Sequence, residues 1–265
     1  MGLYKIAIIA MFLVFSVAQL ADARNRGGLG NSVAISQGIS SPSMTSTVNF
    51  GNGFTHENPV GVIYQDSIRI SGHYDNGDSS TGYGGELGVG NGSYGLAVGA
   101  LTRDCDGCDA DVGAAAAAVF SGIGLGIRFE EDVYSLGIIL NPNGQHRIGI
   151  MADRNTSVDG LEFNGIGFGY TYMGSSFKFT VDASSIVFDD DANSNDVILV
   201  TPGLAFNINI FTLSVSYDVR LNDDNDNNDD TDLWVGLGIK PSSSWEIAVY
   251  ADYFNDIAVA ASFYF

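Results

Sequence analysis

Phe211-Thr212-Leu213-Ser214-Val215-Ser216-Tyr217-Asp218-Val219-Arg220 decides the fold class. Its odd positions are apolar and its even positions carry a hydroxyl or a charge, the period-2 signature of a strand with two unlike faces. The same alternation recurs on both sides of it. Towards the end, Trp245, Ile247, Val249, Ala251 and Tyr253 alternate with Glu246, Ala248, Tyr250 and Asp252. The last residues put Ile257, Val259, Ala261, Phe263 and Phe265 on one face. Towards the start, Phe177, Phe179 and Val181 alternate with Lys178, Thr180 and Asp182, and Ile123, Leu125, Ile127 and Phe129 with Gly124, Gly126, Arg128 and Glu130. These runs are close to the ~9–11 residues that a tilted strand needs to cross a bilayer.

Turn chemistry divides the runs. Short turns fall at Asn91-Gly92-Ser93, Phe120-Ser121-Gly122, Asn141-Pro142-Asn143-Gly144, Met173-Gly174-Ser175 and Pro241-Ser242-Ser243. Between them lie longer, mostly acidic connections at 76–80, 103–110, 154–160, 189–196 and 222–232, with two brief ones, 130–132 and 254–256, in the same series. Short turns at one end and longer loops at the other is the asymmetry of an outer-membrane barrel. The expected fold is therefore all-β: a transmembrane antiparallel up-and-down β-barrel of about 14 strands over residues 66–265. Twelve is the alternative count, because 197–210 is hard to divide. The competing soluble sandwich turns polar side chains to water. Here the less apolar face is mostly Gly, Ala and Ser with isolated charges, too small and too poorly charged for a solvated surface.

Composition supports this. Of 265 residues 34 are Gly and 5 are Pro, and 45% are hydrophobic, which excludes an acidic disordered chain. The charge of -20, from 31 acidic and 11 basic residues, repels phosphate backbones, so no nucleic-acid partner is expected. Residues 1–23 read as a signal peptide: Lys5, an apolar stretch from Ile6 to Ala18, and the small-x-small site Ala21-Asp22-Ala23. Beyond them no apolar run is long enough for a membrane helix. Export together with two-faced strands places the chain in the bacterial outer membrane, among outer-membrane lipid and lipopolysaccharide.

Residues 24–65 alternate poorly and are rich in Gly, Ser and Asn. Gly28-Leu29-Gly30-Asn31, followed by Phe54-Thr55-His56-Glu57-Asn58-Pro59-Val60-Gly61, resembles the N-terminal part of FadL-type outer-membrane transporters, with Val60 where that family carries Ala. The resemblance implies that 24–65 forms a hatch inside a 14-stranded barrel, with Gly28, Leu29, Gly30, Asn58 and Pro59 as its motif. It also implies passage of small hydrophobic solutes. The terminal Phe265, with Phe263 two residues earlier, resembles the C-terminal signature of bacterial outer-membrane proteins, read by the barrel-insertion machinery.

Because the outward face of a membrane barrel must be apolar, the other face lines the bore. Arg69, Arg103, Arg128, Arg147, Lys178, Arg220 and Lys240 all fall in that inward series, as do Asp182, Asp218 and Glu246. The cost of a charge facing lipid suffices to put them there. They brace the bore as ion pairs or form a charged constriction.

Three further patterns need weighing. Gly90-Asn91-Gly92-Ser93-Tyr94-Gly95 matches a dinucleotide fingerprint, but a strand follows where that site needs a helix, so it reads as a Gly-rich hairpin and no cofactor is expected. Cys105 and Cys108 sit in a long loop of an exported chain, a setting that favours a local disulfide over a redox or zinc centre. Asp224, Asp226 and Asp230 belong to an acidic loop that is either simply solvated or a weak Ca²⁺ or Mg²⁺ site bridging to lipopolysaccharide phosphates. No nucleophile–base constellation marks an enzyme. The expected function is a FadL-like channel for passive uptake of small hydrophobic solutes. The alternative is a narrow porin or structural barrel with ion-binding acidic surface loops.

Overall fold

The computed structural model describes residues 58–64, 67–76, 81–103, 111–129, 133–156, 162–188, 197–221, 232–252 and 257–265. After a six-residue 3-10 helix, η1 (Pro59–Tyr64), the strands follow in order: β1 (Ser67–Asn76), β2 (Thr81–Gly90), β3 (Tyr94–Arg103), β4 (Asp111–Phe120), β5 (Ile123–Phe129), β6 (Val133–Leu140) and β7 (His146–Thr156). The second half holds β8 (Glu162–Met173), β9 (Phe177–Phe188), β10 (Val197–Ile208), β11 (Phe211–Leu221), β12 (Asp232–Ser242), β13 (Trp245–Asp252) and β14 (Ile257–Tyr264). Each strand pairs with its neighbours in sequence, and β14 returns to β1, so the sheet closes into a 14-stranded antiparallel barrel with no free edge.

The seam is set by register: Arg69 lies opposite Tyr264 and Asn76 opposite Ile257. The terminal residue extends it, since the Phe265 amide donates to the Ile68 carbonyl at 2.9 Å. Residues 197–210, ambiguous in sequence, form one long strand and a turn. The alternation runs unbroken through Pro202; only the pairing with β11 lapses at 201–202, and it continues in the same register from Val200–Val219 to Gly203–Ser216. The reversal falls at Asn209-Ile210, where Asn209 takes the left-handed φ of 57° that Asn tolerates better than most residues. At the β4–β5 turn Ser121 and Gly122 both have positive φ, the geometry that matches strand twist in a two-residue hairpin. The hairpins β2–β3, β4–β5, β6–β7, β8–β9, β10–β11 and β12–β13 all turn at one rim, together with the C-terminus.

Alternation gives each strand an inner and an outer face. On β6 Leu136 is 63% exposed while Ile139 is fully buried. Outside, Ile70, Leu87, Leu96, Leu125, Ile150, Phe168, Leu213, Val235 and their neighbours form an exposed apolar belt around the barrel. A soluble protein does not leave an apolar surface of this extent uncovered, and a bilayer covers it. Aromatic side chains gather on the belt close to the short turns, including Tyr94, Phe120, Phe177, Phe206, Phe211 and Phe263. That is the level of a membrane–water interface.

Candidate functional site: a cradled helix on the inner wall

The inner wall around η1 is rich in glycine and alanine, and the close approach of η1, by backbone and by side chain, is the reason. A Cβ at Gly90 of β2 would stand 2.5 Å from the Val62 carbonyl oxygen, and one at Gly95 of β3 would overlap the same carbonyl. On β5, a Cβ at Gly124 would come within 2.6 Å of the Val60 Cγ1, and one at Gly126 within 2.5 Å of the Val60 amide nitrogen. A Cβ at Gly137 of β6 would overlap the Asn58 side chain. Real side-chain carbons do not approach this closely, so η1 docks only because these five positions carry hydrogen alone. Val60, Val62 and Ile63 are fully buried and pack against Ala97, Ala115, Ala117 and Ile139.

Hydrogen bonds fix both ends of η1. Asn58 acts as a cap: its Oδ1 accepts from the Val60 amide at 3.0 Å and its carbonyl from the Gly61 amide at 2.8 Å. Its Nδ2 donates to the carbonyls of Ile138 at 3.5 Å and Ile150 at 3.4 Å, on β6 and β7. At the other end the Gly92 amide, in the β2–β3 turn, donates to the Ile63 carbonyl at 2.7 Å. The Tyr64 hydroxyl donates to the Pro142 carbonyl at 2.7 Å, in the β6–β7 turn, and the Arg147 guanidinium stacks 4.7 Å from the Tyr64 ring centre. Asn143 Nδ2 donates to the Gly92 carbonyl at 3.2 Å, which ties the two turns together. The helix therefore lies inside the barrel against β2–β6, at the rim of short turns.

The rest of the inner face differs in character. Arg69 and Glu86, on β1 and β2, form a buried ion pair. Thr171, Thr180, Asp182, Thr201, Ser214 and Ser216 are buried on β8 to β11. Thr171 lies opposite Thr180, and Asp182 opposite Thr201, so these groups run side by side across the sheet. The wall of β2 to β6 thus carries η1 on glycine, alanine and Ile139 and also buries Glu86, Arg128 and Ser135, while β8 to β11 are rich in hydroxyls.

The structure places Arg69, Arg128 and Asp182 on the inner face as buried residues, and Arg147 beside Tyr64. Lys178 precedes Thr180 and Asp182 in the inward series of β9 and is half-buried. Lys240 lies at the short-turn rim with its Nζ 4.6 Å from the Tyr264 ring centre. Arg103 ends β3, Asp218 and Arg220 lie on β11 and Glu246 lies on β13; their side chains are outside the described residues. Asn58 and Pro59 are brought onto the inner wall, whereas Gly28, Leu29 and Gly30 lie outside the described residues, as do Cys105, Cys108, Asp224, Asp226 and Asp230. Phe263 and Phe265 face outward and are exposed.

Sequence reasoning did not identify the cradle, although its marks were present. The dinucleotide look-alike is in fact the β2–β3 hairpin: Gly90 and Gly95 lie beneath Val62, and Gly92 takes a φ of 78°. Inward glycines on several adjacent strands were the available signal, and what they accommodate lies far away in the chain.

No family model matches the chain, and no curated protein matches it. Its fold is similar to that of solved outer-membrane barrels. The toluene transporter TbuX of Ralstonia pickettii superposes with a TM-score of 0.57 at 9% identity, covering 91% of this chain and 99% of that one. The CymD monoaromatic hydrocarbon channel gives 0.52 at 12% identity, covering 78% of this chain and 90% of that one. A bacterial polysaccharide outer membrane secretin gives 0.50 at 13% identity, covering 75% and 97%.

Proposed function

We propose that the protein is a passive channel of the bacterial outer membrane for small hydrophobic solutes, with residues 24–65 as a hatch in the FadL manner. The observation that carries this reading is η1, a segment from before the barrel docked on the inner wall through bare backbone. The apolar belt and the closed barrel support the location. Two barrels of similar fold are described as a toluene transporter and a monoaromatic hydrocarbon channel, which suggests the solute class. The assembly partner is the barrel-insertion machinery, reading Phe263 and Phe265, and the lipid partners are outer-membrane lipid and lipopolysaccharide. Any Ca²⁺ or Mg²⁺ at Asp224, Asp226 and Asp230 serves the surface and takes no part in transport.

A narrow porin is the second reading, favoured by the hydroxyl-rich wall of β8 to β11. Labelled toluene uptake by intact cells, with and without the protein, tests the first reading. Liposome swelling in sugar solutions tests the second. Swelling without toluene uptake would replace the first reading by the second. Deleting residues 24–57 should raise conductance if that segment occupies the bore, and unchanged conductance would remove the hatch from the proposal.

A further inference from the structure

We propose that η1 is a fixed part of the barrel wall, and that any rearrangement opening the bore leaves residues 58–64 in place. The inference goes beyond the channel reading, on which its transport arm rests, because a hatch could equally well move as a whole. The contact surface argues against that. The backbone of η1 abuts the bare backbone of Gly90, Gly95 and Gly126, and the side chains of Val60 and Asn58 abut Gly124 and Gly137, so neither surface has slack to give. Sliding η1 along the wall would bring it against strand positions that carry side chains. Its C-terminal end is bonded to two different turns, at Gly92 and Pro142, which are bonded to each other, and Asn58 at its N-terminal end is bonded to the carbonyls of Ile138 and Ile150. Displacement would break these bonds together and expose Val60, Val62 and Ile63, all fully buried. Packed elements of this kind move between discrete arrangements rather than by small deformation.

Two cysteine experiments test this in the full-length protein, in a background of Cys105→Ser and Cys108→Ser. The first is the pair Val60→Cys and Gly124→Cys. A Cβ at Gly124 is blocked only by the Val60 Cγ1, at 2.6 Å, which the pair replaces by a bonded sulfur. Its next neighbours stand at 3.6 Å or beyond, so this wall position accepts a Cβ when residue 60 is its disulfide partner. The bridge should form in the oxidising periplasm, and toluene uptake should be the same before and after reduction. Loss of uptake in the bridged form, restored by a reductant, would show that η1 must move and would overturn the proposal, as would failure of a folded pair to bridge. The second variant, Val62→Cys, keeps the proposal testable if the pair does not fold. Its thiol should stay unreactive to a soluble maleimide with or without toluene. Labelling in either condition overturns the proposal. Absence of toluene uptake in every form would count against the channel reading, and the proposal is then decided by maleimide protection alone.

Discussion

Gly95 of β3 lies directly beneath the backbone carbonyl of Val62, with no room for even a methyl group between wall and helix. The two residues are joined only by the folding of the barrel, yet neither element can keep its position if the glycine gains a side chain. Gly72, on the outer face of β1, makes the contrast: a Cβ there meets only the Gly84 carbonyl oxygen, at 3.8 Å.

Gly95→Val should therefore destabilise the protein by about 1–3 kcal/mol through overpacking. Gly72→Ala should leave the urea midpoint unchanged or slightly raised. Equal midpoints for the two variants would show that η1 does not sit on β3.

The Arg69–Glu86 pair is buried on the inner wall beside the seam. Glu86→Leu alone should destabilise the protein, because it takes this carboxylate away from a buried guanidinium. Adding Arg69→Met should recover most of that loss. A double-mutant cycle with no coupling would show that the pair contributes nothing as a pair.

Ile127 faces out from β5 and its neighbour Arg128 faces in. Ile127→Arg should cost about 2–4 kcal/mol if residue 127 lies near the bilayer midplane. Folding into detergent and into lipid vesicles, compared side by side, measures this. Equal stability of the variant and the parent in vesicles would mean that this face does not meet lipid.

Phe265 joins β1 through its backbone, and its side chain is 71% exposed. Phe265→Ala should change the stability of refolded protein by no more than about 0.5 kcal/mol. The amount of barrel assembled in cells should nevertheless fall. Undiminished assembly would remove the side chain from the role of an insertion signal.

Much of this architecture was legible in the chain because strand pattern and turn chemistry are local. The alternation of Phe211–Arg220 gives two faces, and Ser121-Gly122 gives a tight reversal, whatever the rest of the chain does. Residues 197–210 resisted division for an equally local reason. Pro202 and the apolar residues on both sides of it blur the period, and Asn209-Ile210 carries no glycine to mark the turn.

By itself the sequence determined that strands with one greasy and one small or ionic face close into a barrel, and on a strand such as β5 which residues belong to which face. Only the tertiary structure decided what the inner glycines are for. Asn58 bonds to Ile138, 80 residues away, and Val62 rests on two strands that turn back on each other. A glycine in a strand states that something approaches closely, but the approaching partner is chosen by how distant segments come together, and no local pattern records that.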